Sequence, residues 1–304
     1  MDARRAVTLV ELLVVIAIIG MLVAILLPAI QNSREAARKA QCQNHLRQVA
    51  LAIENHHAAF RRFPAGGFEV PQGIGPDSTS WSFLAALLPR IERNDLHRAG
   101  GVPKKTLRES GIAAHSIALY RCPSDGFSTS GPTSDAGNLE GFDVGLTNYK
   151  AVMGANWGAD GSQRMEEIGT AWRNPSRTNS FDGLEDGDGP MFRADHEKPR
   201  GQNHIRDGTS TTFLLGEALP EEDHFTSWPY ANNVYSTCAM PPNLAVESPH
   251  WWPNAQGFRS EHPGGLFFAM CDGSVRWVNE SIELRLYRQL ATIQGGEPID
   301  DAAW

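Results

Sequence analysis

The chain has 304 residues, with 27 basic and 35 acidic side chains and a formal net charge of −8. Without a surplus of cations or a basic stripe interleaved with aromatics, a nucleic-acid partner gripped through its phosphates is not expected. Length alone admits one large or two small globular units, and 29 glycines, 19 prolines and 8 tryptophans point to a loop-rich, β-containing body.

The first element is apolar. Arg4 and Arg5 precede a run in which residues 12–27 carry no polar side chain. With residues 7–10 added, the run reaches the ~20 residues needed to cross a bilayer as a helix. The two arginines hold the N-terminus on the cytoplasmic side and send everything after Pro28 outward. A secretory signal peptide starts in a similar way, but this apolar stretch is too long and no small-x-small cleavage site follows it. Glu11 stands one turn inside the span. A carboxylate in hydrocarbon costs roughly 2.5–3.5 kcal/mol on insertion scales, so a plain anchor explains the length and the arginines but not this residue.

The stretch Arg5-Ala6-Val7-Thr8-Leu9-Val10-Glu11-Leu12-Leu13-Val14-Val15-Ile16-Ala17-Ile18-Ile19-Gly20 closely resembles the class III leader of type IV prepilins and type II secretion pseudopilins. The resemblance implies a prepilin peptidase that cuts between Ala6 and Val7 on the cytoplasmic side and methylates the new N-terminus. Residues 1–6 are then a leader, and Glu11 is the fifth residue of the mature chain. Ala6 replaces the usual glycine and Val7 the usual phenylalanine. A free amine on Val7 and a carboxylate on Glu11 are complementary charges in a low-dielectric setting, and pairing between copies would set the stagger of a filament. Pro28 also matches the family; it cannot donate to the carbonyl of Ala24, so a kink or local melting is expected there.

Beyond Pro28 the helical pattern continues in polar form. Cys42, Leu46, Val49, Ile53 and Phe60 recur near the 3.6-residue period, flanked by Ala50 and His57. Arg34, Glu35, Arg38, Lys39, Gln43, Arg47 and Glu54 occupy the other face, and Glu35 with Lys39 forms an i,i+4 pair. One helix is expected from about residue 8 to about residue 59, ~75 Å long at 1.5 Å per residue. Its first part (7–28) spans the membrane and its second part packs the stripe on a globular body. The stripe reads as core packing, with no chemistry assigned to His45, His56 or His57.

Residues 61–304 read as one extracytoplasmic domain, because neither a repeat nor a linker divides them. Short apolar runs at 81–88, 117–120, 149–153, 212–215, 266–270 and 275–278 are separated by turn-forming clusters. The first reads as a short helix and most of the others as strands. Residues 125–145 and 156–189 are long irregular stretches. Near the C-terminus, 266–278 reads as a hairpin turning at Asp272-Gly273. Ile282, Leu286, Leu290 and Ile293 then line a final helix that Gly295-Gly296 ends. The expected fold is α+β: a long N-terminal pilin-like transmembrane helix packed on a mainly antiparallel sheet with long loops.

His262, nine residues, then Asp272-Gly273 resembles the H-X9-DG hallmark at the C-terminus of a family of bacterial prepilin-like proteins of unknown function. Residues 42–51 resemble that family's post-helix motif, and Tyr120-Arg121-Cys122-Pro123-Ser124-Asp125 its Cys-Pro-Ser-Asp motif. Asn148-Tyr149 through Gly154, and Asp207-Gly208-Thr209-Ser210 through Gly216-Glu217, complete a resemblance that covers nearly the whole chain.

A histidine and an aspartate invite a metal or acid–base reading. A strand at 266–271 would separate His262 from Asp272 by roughly 15–20 Å, so they are read as structural: Asp272 accepts backbone hydrogen bonds in its turn and His262 pins a loop. Asp207-Gly208 reads as a second tight turn. The acidic glycine loop at 182–189 could hold calcium, although its spacing is not that of an EF-hand; otherwise no cofactor is expected. Residues 221–224 read as a solvated charge run. No His-Glu-x-x-His, Gly-x-Ser-x-Gly or phosphate-binding glycine loop occurs, so no enzyme is expected.

Cys42, Cys122, Cys238 and Cys271 would face an oxidising space. Three complete pairings are open, with free thiols as the alternative. Cys42 with Cys122 is preferred because it would staple helix to body. The resemblances imply a pilin- or pseudopilin-like structural subunit of a type II secretion or type IV pilus-like system. It would be single-pass in the inner membrane with a periplasmic body, and its partners would be prepilin peptidase, other pilin subunits and membrane lipid. The alternative is an anchored periplasmic binding protein or enzyme that uses the leader for export.

Overall fold

The computed structural model describes residues 9–67, 73–155, 187–193, 195–196, 198–246, 248–250 and 256–296. Helix α1 runs Leu9–Phe60 without interruption. No melted turn occurs at Pro28, and the helix continues through it. Short helices α2 (Phe83–Ala86), α3 (Asn94–Gly100), α4 (Leu107–Ser110) and α5 (Gly126–Thr129) follow. The sheet comprises β1 (Tyr149–Val152), β2 (Phe213–Glu217), β3 (Tyr235–Ser236), β4 (Gly265–Met270) and β5 (Val275–Asn279), before a last helix α6 (Leu284–Gln289).

Strand order is β3-β1-β2-β4-β5, antiparallel except for the parallel β1–β3 pair. Both faces are covered, which is why 266–270 is a continuous apolar run instead of an alternating one. Side chains of β4 alternate between two cores with the strand period of two. Phe267 and Ala269 point to the core beneath α1, with Leu46, Val49 and Ile53. Leu266, Phe268 and Met270 point to the opposite core, with Tyr287 and Leu290 of the C-terminal segment.

Several expectations need correction. Residues 118–120 form a 3-10 turn, not a strand, with Tyr120 Oη donating to the carbonyl of Leu84 at 2.7 Å. The 81–88 helix is reduced to α2, capped by Ser82, followed by a 3-10 turn that starts at Leu88. Phe60 does not join the buried stripe and is 54 % exposed. The hairpin connection is four residues, 271–274, not two: Gly273 N–H donates to Met270 O and Gly273 takes φ +79°, the left-handed value glycine tolerates. The final helix is shorter than the 281–293 pattern. The 221–224 run is not wholly solvated, because Asp223 is fully buried and pairs with buried Lys150 at 2.7 Å.

A candidate functional site where helix and sheet are clamped

Helix α1 has two halves with opposite surroundings. From Leu9 to Leu27 its apolar side chains are exposed, with none of the described residues of the body covering them. From Cys42 onward the predicted stripe is sealed: Cys42, Leu46, Val49, Ala50 and Ile53 are all fully buried. The charged face just before that stripe, around Glu35 and Lys39, meets the sheet at one site.

His262 lies at its centre, only 1 % exposed. Its Nδ1 is 2.8 Å from Glu35 Oε1 of α1, and its Nε2 is 3.6 Å from Glu217 Oε1 at the end of β2, an ion-pair contact rather than a hydrogen bond. Glu217 Oε2 accepts from the N–H of Phe267 at 2.7 Å, tying β2 to β4. Glu35 also accepts from Arg38 and from Ser124 Oγ at 3.1 Å. The expected Glu35–Lys39 pair is replaced by Glu35–Arg38 at i,i+3, while Lys39 Nζ lies 3.0 Å from the centroid of the Trp277 ring. That cation–π contact joins α1 to β5.

The electrostatics of the pair are mutual. Burial alone would lower the imidazole of His262, but the Glu217 and Glu35 carboxylates outweigh it and raise His262 above its ordinary value. Burial alone would raise Glu35, yet hydrogen bonds from His262, Arg38 and Ser124 hold it below its ordinary value. His262 thus lies between two carboxylates that favour its charged form.

The remaining motifs arrive at the same place. Cys42 and Cys122 are joined in a disulfide, with Cα atoms 4.9 Å apart, that links α1 to the Cys-Pro-Ser-Asp segment. Asn148 Oδ1 accepts from Cys122 N–H at 2.9 Å, and Asn148 Nδ2 donates to Asp125 at 2.6 Å and to Ala218 O at 3.0 Å. Tyr149 Oη donates to the carbonyl of Cys42 at 3.1 Å. Five stretches scattered over more than 200 residues thus build one clamp on α1.

Asp272 is not part of this cluster. It lies beyond the far end of β4, roughly 17 Å of strand away at 3.3 Å per residue. There it does turn chemistry, with Oδ1 accepting from Ser274 N–H at 2.9 Å and Ser274 Oγ at 2.6 Å. That end of β4 is also fastened to α1, since Gln202 Nε2 donates to both Glu54 and the carbonyl of Cys271. Asp207 accepts from Gly295 and Gly296 N–H, so the Asp207-Gly208 turn clasps the C-terminal segment.

Chemically the clamp is a holding device. Sulfur, nitrogen and carboxylate atoms of Cys42, Cys122, Glu217 and His262 lie within 4.8 Å of one another. The two sulfurs are spent in the disulfide and supply no thiolate, so this set as it stands is not a metal centre. Cys238 and Cys271 are free and buried, and burial pushes both thiols up, which makes them poor nucleophiles. Ala6 and Val7 lie outside the described residues, as do residues 182–186 of the acidic loop. Sequence reasoning missed Glu35 and Glu217 as partners of His262. Neither shows a local signal, although Glu217 sits within a quoted motif.

Among the described residues one helix, Leu9–Phe60, is long and apolar enough to cross a membrane, and an α+β body follows it. Residues 1–27 match the prokaryotic N-terminal methylation motif, and residues 31–285 match a family described as protein of unknown function (DUF1559). The chain belongs to the DUF1559 family and carries a prepilin-like N-terminus, which implies processing by prepilin peptidase and single-pass anchoring in the inner membrane. No curated protein and no solved structure matches it.

Proposed function

We propose that the protein is a pilin- or pseudopilin-like structural subunit, cleaved before Val7 and joined to neighbouring subunits through its N-terminal helix. The observation that carries this reading is the bare apolar half of α1 behind a methylation motif: Leu9 is 78 % and Ile25 65 % exposed. Lipid covers such a surface while the subunit is anchored, and neighbouring helices cover it in a filament. Cleavage would create a Val7 amine at the depth where Glu11 supplies a carboxylate. No catalytic role is proposed for the body. The clamp supports the reading because it makes α1 and the body one rigid piece, as a subunit that transmits its position through a helix requires.

A photo-crosslinking amino acid placed at Ile16 tests it in membranes. Adjacent copies are expected to crosslink, and Glu11→Ala is expected to abolish the adduct while membrane insertion is retained. Equal crosslinking with and without Glu11, or none in either, would favour the anchored binding protein or enzyme.

A further inference from the structure

Outside the clamp, three loops bring Asp135, His224 and His250 together. Their ligand atoms lie within 4.8 Å of one another, with His250 Nε2 3.3 Å from Asp135 Oδ2 and the two imidazole rings 4.4 Å apart. The geometry points to a binding site for a divalent transition-metal ion, Zn²⁺ in the first instance, held by these three side chains with a fourth position open to solvent. Tetrahedral zinc with bonds of 2.0–2.1 Å places its donor atoms about 3.3 Å apart, the spacing of the His250–Asp135 pair, and the remaining donor lies within 4.8 Å, close enough to be drawn in on binding. Two imidazoles and one carboxylate are also donors that such ions favour over calcium or magnesium.

Two further observations argue for a ligand rather than a chance ion pair. Nδ1 of His224 is buried and has no hydrogen-bond partner, a state that ordinarily calls for an explanation. The Asp135–His250 pair is exposed, so by itself it contributes little to stability, and two imidazoles set edge to face at 4.4 Å repel when both are protonated. A metal ion bound by one nitrogen of each imidazole and by the carboxylate turns that repulsion into favourable bonds. The loops are held for it in advance: Gly137 N–H donates to His224 O, and His224 N–H donates to Pro249 O. Asp223, next to His224, is fixed by its buried bond to Lys150.

A cavity of about 160 Å³ adjoins the site and is lined by Asp135 and His224 together with Thr133, Glu221 and Thr226. It leaves room for water or a small oxygen ligand on the open position, as in three-ligand zinc sites. The test is calorimetric titration of Zn²⁺ into the full-length protein in detergent micelles. One equivalent is expected to bind with a Kd in the micromolar range or below. His250→Ala and Asp135→Asn, both at exposed positions, are expected to weaken it at least tenfold, since even outer-shell partners are worth about 10–100-fold. Unfolding temperatures of the metal-free variants serve as the control that they fold, and Zn²⁺ should raise the unfolding temperature of the parent protein alone. Absence of binding by the parent, or equal affinity in both variants, overturns the assignment.

Discussion

The two halves of α1 are one continuous helix with opposite fates. Among the described residues its first half carries almost every large apolar side chain that the body does not cover; its second half is stitched to the body by a disulfide, a buried imidazole, a cation–π contact and two polar fastenings. The difference shows that helical continuity does not set function along a helix. What covers each face does. The body is built to leave the first half for another solvent while holding the second half still.

The largest expected effect comes from the disulfide. It closes a loop of 80 residues, for which the chain-entropy account gives roughly 4 kcal/mol. Urea unfolding of the Cys42→Ser/Cys122→Ser double variant should show a loss of that order, with membrane insertion unchanged. Next comes His262→Ala, expected to cost about 2–3 kcal/mol because it leaves Glu217 and Glu35 without the imidazole between them.

The same pair predicts a pH dependence. His262 is raised above its ordinary 6.5, so its contribution is complete below that value and is lost as pH rises through the higher folded value. Glu35 is held below its ordinary 4.5, so its contribution is complete above that value and is lost as pH falls through the lower folded value. Stability of the parent protein relative to His262→Ala should therefore be greatest between these limits and should shrink on the alkaline side. A difference that stays flat as pH rises above 6.5 would contradict the ion-paired description.

Lys39→Ala should cost less, about 1 kcal/mol, as its ammonium leaves the Trp277 face. The smallest effect is expected from Ile16→Ala in the bare half: within about 0.5 kcal/mol on unfolding of the body. A large loss there would mean that the body does cover the first half, and the contrast between the halves would fail.

How much of this was legible in advance follows from the range of each interaction. The apolar span announces itself as an unbroken apolar run, the 42–53 stripe through helical periodicity, and the β4–β5 hairpin through two apolar runs around Asp272-Gly273. The clamp does not, because Glu35 and His262 are 227 positions apart and a helical pattern assigns Glu35 simply to the polar face. Two-residue β3 is too short to carry a pattern and exists by parallel pairing with β1. Residues 118–120 look like a strand by composition, yet Tyr120 Oη finds its partner in Leu84 O and the backbone turns instead. Asp223 reads as solvated until Lys150 on β1 arrives opposite it.

The most direct test of the account is the intact mass and N-terminal residue of the protein purified from its membrane. A chain that begins at a methylated Val7, lacking its first six residues, is the predicted result and gives Glu11 an amine to meet in a neighbouring copy. A chain that still begins at residue 1, or whose first residue is unmethylated Met or Asp2, would contradict it and leave only a tethered globular domain.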